Sequence, residues 1–169
     1  RRSSDLDAKK FTVTFLDWDD TVLKTTLVLP GGDAETPKDP YREGYTFTGW
    51  DVPETMPAND ITVEGFFTIN SYTLKLVVDG KDYKSITFEY GSAISVSEVP
   101  VKEGHTFTGW SNLPETMPAN DVTVEAEFTV NTYSVTFTVD GEVYQTAEVA
   151  YGSSVTLPEV PVKEGHTFT

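Results

Sequence analysis

Two closely spaced aspartates near the start of the chain are the residues whose types and spacing most directly suggest chemistry. The segment Phe11 to Lys24 reads FTVTFLDWDDTVLK, so Asp17 and Asp19 follow a hydrophobic, strand-like run. One carboxylate at such a strand end can attack phosphorus, a second can shuttle the proton, and Mg²⁺ can bridge them. The segment therefore raises the hypothesis of phosphoryl transfer.

The LDWDDT pattern resembles the opening motif of phosphatases of the haloacid dehalogenase superfamily. Such an enzyme would need strands that alternate with helices in a parallel sheet, and a later Ser or Thr, a Lys and an acidic pair in the same pocket. The sequence has no stretch of about ten or more residues with the apolar spacing of a helix. We therefore predict no catalytic residue, no enzyme activity and no cofactor.

Composition restricts the classes of partner. Of the 169 residues, 38% are hydrophobic, which is enough for a packed core rather than a disordered chain. The net charge of −15 repels nucleic acid and anionic lipid surfaces. The absence of cysteine excludes disulfides and thiolate metal sites. Because no run approaches the ~18 apolar residues of a membrane span, we expect no membrane insertion in this segment.

The chain repeats itself with a period of about sixty residues, which is typical of tandem arrays. PYREGYTFTGW at 40–50 returns as PVKEGHTFTGW at 100–110 and as PVKEGHTFT at 161–169. We predict a linker over 1–10, a first repeat over 11–70, a second over 71–131 and a truncated third over 132–169. The third has no counterpart of Val122–Phe128, so its sheet is expected to have an unpaired edge.

The repetition changes the interpretation of the aspartates. Asp19-Asp20 aligns with Asp79-Gly80 and with Asp140-Gly141. Asp-Gly between two alternating strands predicts a two-residue hairpin turn with positive φ at both residues. The first repeat has one extra residue before this turn, which predicts a bulge that points Trp18 inward. We therefore interpret LDWDDT as a hairpin tip rather than a reaction centre.

Apolar and polar residues alternate through most of the chain. In Val122 to Val130 every second residue is apolar, which predicts a strand with one solvated face. Each complete repeat is predicted to contain a first strand, a hairpin turn, a second strand, a Pro-bearing crossover, the HTFTGW-type third strand, a PETMPAND loop and a last strand. The fold class is therefore predicted to be mainly β, in small units forming an elongated array.

The whole of 11–169 resembles the Listeria–Bacteroides repeat, through the KEGYTFTGW-type signature and the ETMPANDVTV segment. That resemblance implies α+β, β-grasp-like units and no catalytic residues. It also implies an extracellular location, either secreted or at the bacterial cell surface and cell wall, because the family occurs in tandem on surface proteins that include internalin-like invasion proteins. Departures occur at Pro30–Gly32, where the other repeats have Tyr-Gly-Ser, and at His105 and His166, which replace Tyr45.

The function predicted from these features is a stalk or spacer segment that contributes to adhesion. Its partners would be the neighbouring repeats in the same chain, and a host protein or glycan. The alternative is a glycan- or host-protein-binding module that uses the repeated faces around Trp50 and Trp110. Against this stands the prediction that each Trp is a core anchor, because one indole buries roughly 150–250 Å².

Other candidate sites are weaker. His105 and His166 lie in different repeats and are unlike a shared metal site, and Asp17, Asp19 and Asp20 lack the spaced loop of a Ca²⁺ site. We therefore predict no metal-binding residue. Met56 and Met117 are expected to fill gaps under the sheets. An intramolecular Lys–Asn crosslink stays open at this stage.

Overall fold

The computed structural model describes residues 9–169, and in that range it contains strands and no helix. The ten strands are β1 (Phe11–Leu16), β2 (Val22–Val28), β3 (Tyr45–Trp50), β4 (Ile61–Ile69), β5 (Ser71–Val78), β6 (Lys81–Glu89), β7 (His105–Trp110), β8 (Val122–Val130), β9 (Thr132–Val139) and β10 (Glu142–Ala150). The prediction of a mainly-β chain is confirmed.

The strands form two four-stranded sheets and one two-stranded sheet. Their orders are β2-β1-β4-β3, β6-β5-β8-β7 and β10-β9. In the first sheet β1 and β4 run parallel, whereas β1 and β2, and β3 and β4, run antiparallel. Within residues 9–169, β9 pairs with β10 alone, as expected for the third repeat. The crossover between the hairpin and the third strand contains no helix in either complete repeat, where a β-grasp would carry one.

The described residues divide into two compact units that interleave along the sequence. One holds residues 9–74, 86–94 and 114–122, and the other holds 75–85, 95–113 and 123–169. The repeat boundaries at 70/71 and 131/132 stay predictions. Residues 1–8 of the predicted linker 1–10 lie outside the described residues.

A β-bulge near the end of β3 and of β7 sets the position of the tryptophan. The pairing register of β3 with β4 shifts between Phe47 and Gly49, and Gly49 has a φ of 146°. The shift puts Trp50 on the same side as Phe47, with ring centroids 5.1 Å apart. The same shift before Gly109 leaves Trp110 5.4 Å from Phe107.

The core of the first sheet lies under β1 and β4. Its buried residues are Val13, Phe15, Val28, Met56 and Val63. Trp50 is half-buried against this cluster, with its ring 5.3 Å from that of Phe15 in an edge-on arrangement. The predicted burial of the methionines is confirmed, because Met56 is 4% exposed and Met117 is 1% exposed.

The predicted Asp-Gly turns are confirmed in the second and third repeats. Asp79 and Gly80 have φ values of 49° and 72°, and Asp140 and Gly141 have values of 52° and 86°. Between β1 and β2 the tip is longer and spans 17–21, because the Asp17 N–H donates to the Thr21 carbonyl (2.8 Å) and the Asp20 N–H donates to the Asp17 carbonyl (3.1 Å).

The prediction that a bulge points Trp18 inward is wrong in two respects. The extra residue in the ladder is Leu23 on β2, since Phe15 pairs with Lys24 and Leu16 pairs with Val22. Trp18 itself lies in the tip, beyond the last paired residue, and is 53% exposed. A similar shift between Val143 and Gln145 shows that the irregularity is not peculiar to the first repeat.

Replacing Phe15 by Ala should lower the free energy of unfolding by about 3–5 kcal/mol, since it leaves a cavity in the core. The matched control is Leu27→Ala, at a residue that is 61% exposed and should cost less than about 1 kcal/mol. Urea unfolding followed by tryptophan fluorescence measures both. Equal losses for the two variants would contradict the assigned core.

Candidate functional site

The aspartates of the β1–β2 tip serve the turn itself. Asp17 Oδ1 accepts a hydrogen bond from the Trp18 N–H (2.8 Å), and Asp19 Oδ1 accepts one from the Thr21 N–H (3.1 Å). Hydrogen bonds from the Thr21 side chain, and secondly from its backbone, hold the pKa of Asp19 below the ordinary value. The tip closes an antiparallel hairpin, which differs from the helix-flanked parallel sheet that the phosphatase hypothesis requires.

The two histidines have equivalent local roles. Nδ1 of His105 lies 2.7 Å from the Glu103 carbonyl oxygen, and Nδ1 of His166 lies 2.9 Å from that of Glu164. Each ring therefore donates to the turn that precedes it. Across residues 9–169, His, Cys, Asp and Glu form no group of three or more that could hold a metal ion.

Five lysine amines among residues 9–169 pair with carboxylates. The pairs are Lys24–Glu35, Lys75–Asp82, Lys84–Glu98, Lys102–Asp79 and Lys163–Asp140. Hydrogen bonds from Lys24 and from Lys84 hold the pKa values of Glu35 and Glu98 below the ordinary value. Exposed pairs of this kind contribute little to stability.

The tryptophans of the alternative binding hypothesis are half-buried parts of each sheet. The Trp50 Nε1 is buried and has no hydrogen-bond partner among the described residues. The Trp110 Nε1 donates to the Glu98 carbonyl at 3.3 Å, and the ring lies 6.2 Å from that of Tyr83. Their packing favours the predicted role of core anchor over a free stacking platform.

Successive repeats are joined by single-residue connectors. Asn70 is the one residue between β4 and β5; its N–H donates to the Gly44 carbonyl, and its carbonyl accepts from the Tyr90 N–H, both at 2.9 Å. Asn131 does the same between β8 and β9, with Gly104 and Tyr151 at 2.8 Å.

The side chain of each connector is fixed as well. The Thr46 hydroxyl donates to the Asn70 Oδ1 at 2.6 Å, and the Thr106 hydroxyl donates to the Asn131 Oδ1 at 2.6 Å. Each asparagine therefore uses its backbone N–H, its backbone carbonyl and its side-chain oxygen. This leaves the connector little freedom to rotate.

A tyrosine of the later repeat seats on a glycine of the earlier one at each junction. Gly44 has a φ of 75°, and a Cβ added to it would overlap the ring of Tyr90. Gly104, with a φ of 68°, relates to Tyr151 in the same way. Glycine is thus required both by the backbone conformation and by the close approach of the ring.

Electrostatics differ between the two junctions. Tyr45 lies 6.1 Å edge-on from Tyr90 in the first, and His105 lies 6.0 Å edge-on from Tyr151 in the second. The negative charge of Glu103, followed by partial burial, raises the pKa of Tyr151. The Tyr151 hydroxyl therefore stays neutral at physiological pH.

These junctions were not predicted from the sequence. A signal was present: the later repeats carry Tyr90 and Tyr151 at the position where the first carries Pro30, and a Glu-Gly pair precedes each Tyr in the repeat before it. A residue type that occurs only in repeats that follow another repeat indicates a contact between the two repeats.

The sheets and their junctions define a class of protein built from tandem β repeats. A family profile described as the Listeria-Bacteroides repeat domain matches residues 11–64, 72–131 and 133–169. The chain belongs to the Listeria-Bacteroides repeat family. The resemblance stated from the sequence is thereby confirmed.

Relatives carry this region as a minor part of their length. The chain is 37% identical over 132 residues to internalin H of Listeria monocytogenes, which covers 64% of this chain and 24% of that protein. It is 32% identical over 155 residues to a putative membrane protein of Evansella cellulosilytica, covering 79% of this chain and 23% of that protein. The chain thus spans about a quarter of the length of these curated relatives.

A solved structure of two tandem SHIRT domains from a streptococcal cell surface protein is 21% identical to this chain. The match covers 72% of this chain and 98% of that one, with a TM-score of 0.28. A score of that size does not establish a shared fold.

Among residues 9–169 no helix is long and apolar enough to cross a membrane.

Replacing Gly44 by Ala should destabilise the protein more than replacing Gly91 by Ala. Both glycines have similar φ values, 75° and 71°, but the added Cβ meets Tyr90 only at Gly44. The backbone strain, about 1–2 kcal/mol, is common to both variants. Displacement of the ring should add about 1–3 kcal/mol at Gly44.

Thermal and urea unfolding measure this difference. In the double variant Gly44→Ala with Tyr90→Ala, the total loss of unfolding free energy should be smaller than the sum of the losses in the two single variants, because the added Cβ no longer clashes with a tyrosine ring. Additive losses would show that the tyrosine does not seat on the glycine.

Proposed function

We propose that the chain is a spacer segment in the extracellular part of a bacterial cell-surface or secreted protein. It would have no enzymatic role of its own, and it would hold another part of the protein away from the cell wall. Adhesion would then be assisted by reach rather than by a ligand site in every repeat.

The observation that carries this proposal is the single-residue connector. A spacer must resist bending, and a flexible linker of several residues would behave as a random coil. At each junction the asparagine instead donates and accepts backbone hydrogen bonds on both sides. A tyrosine on a glycine adds steric contact, so that each repeat gains stability from its neighbour.

The net charge and the sequence relatives support the proposed role and location. A net charge of −15 disfavours association between neighbouring copies of the chain. The matched relatives are named internalin H and putative membrane protein, and the chain corresponds to about a quarter of each. A repeat segment that forms a minor part of a long protein fits a connecting role.

The alternative, a module that binds glycan or host protein around Trp50 and Trp110, has less support. A stacking platform requires a free indole face, and Trp50 packs against Phe15 and Phe47 instead. Trp110 packs against Phe107 and donates its N–H within the repeat. We therefore assign these residues to the core in the proposal.

Small-angle scattering tests the spacer function on the intact chain. Three units of about 27 Å in line should give a radius of gyration of about 25 Å, whereas a single globule of this length would give about 15 Å. A value near that of the globule would exclude a spacer.

An insertion variant tests whether the connector limits bending. The chain has no cysteine, so Leu27→Cys and Val143→Cys, at exposed positions, provide two unique sites for dyes. Inserting Gly-Gly-Ser-Gly between Asn131 and Thr132 should broaden the single-molecule energy-transfer distribution. The same insertion between Pro53 and Glu54, in an exposed loop, should leave the distribution unchanged. Equal widths for both variants would contradict the proposal.

A further inference from the structure

The first repeat departs from the others at positions that converge on one face of its sheet. The departures from the second repeat are Arg42 for Lys102, the tip 17–21 for Asp79-Gly80, and Gly65-Phe66 for Ala126-Glu127. Since the other repeats fold without these residues, the fold does not require them. Their convergence calls for another role.

In the later repeats this face is closed by an ion pair. The Lys102 amine lies 2.6 Å from Asp79 Oδ1, and the Lys163 amine lies 2.7 Å from Asp140 Oδ2. The lysine of the Lys-Glu-Gly turn that precedes the HTFT segment thus forms an ion pair with the aspartate at the tip of the hairpin in the same repeat.

In the first repeat the equivalent cation stacks on aromatic rings. The Arg42 guanidinium lies 3.8 Å from the ring centroid of Tyr45 and 4.9 Å from that of Trp18. No carboxylate among residues 9–169 lies within ion-pairing distance of it. Its N–H donors are therefore oriented by stacking but are not used by the described residues.

The rearrangement opens a cleft of about 270 Å³ beside Trp18 and Arg42. Two of its side chains are apolar and largely exposed, Trp18 at 53% and Phe66 at 57%. Glu64 also lines the cleft, and its carboxylate makes no hydrogen bond to residues 9–169, whereas its counterpart Glu125 accepts one from the Gly80 N–H at 3.0 Å.

We propose that this cleft is a binding site for a neutral carbohydrate. The face of Trp18 and the ring of Phe66 would stack on the C–H face of a sugar ring. The Arg42 guanidinium would donate hydrogen bonds to sugar oxygens, and the carboxylates of Asp20 and Glu64 would accept them from sugar hydroxyls. A hydroxyl both donates and accepts, so a polyol satisfies the two kinds of group at once.

Charge separates this ligand class from the others. Anionic glycans and phosphates would meet the carboxylates of Asp17, Asp20 and Glu64 and a chain of net charge −15. A cationic peptide would meet the guanidinium of Arg42 on the aromatic surface it would need. A neutral ring avoids both repulsions. The inference concerns the first repeat alone and is independent of the spacer function.

The test begins with the intact chain on an array of neutral hexose and N-acetylhexosamine oligosaccharides, with sialylated and sulfated glycans as the anionic arm. The expected result is binding to neutral glycans only. Soluble forms of the bound oligosaccharides are then titrated into ¹⁵N-labelled protein. The chain has three tryptophans, so the indole N–H signals of Trp50 and Trp110 serve as internal controls. We expect the Trp18 signal to shift and saturate while the other two stay in place.

Two variants locate the site. Trp18→Ala should weaken binding at least about tenfold, which corresponds to 1.4 kcal/mol. The double variant Arg42→Lys with Phe66→Glu restores the residues of the second repeat, a background known to be compatible with the fold, and should also abolish binding. Leu27→Ala, at another exposed apolar residue of the first repeat, should leave binding unchanged. Unfolding midpoints confirm that each variant is folded.

Several outcomes would overturn the proposal. These are silence across the neutral glycans, binding confined to the anionic arm, a shift of the Trp50 or Trp110 signal in place of Trp18, and full binding by folded Trp18→Ala. Binding of a basic polypeptide through Trp18, without neutral glycan binding, would identify a different ligand class and would equally refute it.

Discussion

The hydrogen bonds made by one asparagine at each junction are the constraint on which the array depends. The Asn70 N–H donates a hydrogen bond to the Gly44 carbonyl of the preceding repeat, and the Asn70 carbonyl accepts one from the Tyr90 N–H of the following repeat. Breaking such a hydrogen bond costs about 1–3 kcal/mol if the backbone group stays shielded from water and finds no other partner. Rotation about the connector therefore breaks bonds on both sides at once.

The remaining features of the junction follow from this short connection. With one residue between β4 and β5, the end of β6 must pass close to the turn that precedes β3. Only glycine leaves room there for the Tyr90 ring, and the turn at Gly44 also requires a positive φ. The recurrence of both features at Gly104 and Tyr151 indicates a common joint rather than an accident of one sequence.

How much of this was predictable depends on the range of the interaction. The Asp-Gly turns and the alternating strands are local, and the sequence predicted them from neighbouring residues. The burial of Met56 and Met117 was expected because methionine commonly fills gaps in a core. The exposed position of Trp18 was not predictable from the extra residue before the turn, because the tip is longer and the ladder ends before Trp18.

The junction and the cleft were missed for a related reason. Tyr90 and Gly44 are far apart in sequence and belong to different repeats, so no periodicity within one repeat connects them. Likewise, the stacking of Arg42 on Trp18 replaces an ion pair, and neither residue alone indicates the exchange. Comparison of the repeats with one another reveals both, since positions that differ in only one repeat are not fixed by the common fold.

Amide hydrogen exchange at the two connectors tests the central claim most directly. If the joints are formed in solution, the amides of Asn70, Tyr90, Asn131 and Tyr151 should exchange as slowly as those within β4 and β8, because all four are hydrogen-bond donors. Exchange of these four amides at the rate of exposed loop amides, with the strands still protected, would show that the repeats are flexibly linked and would contradict the account.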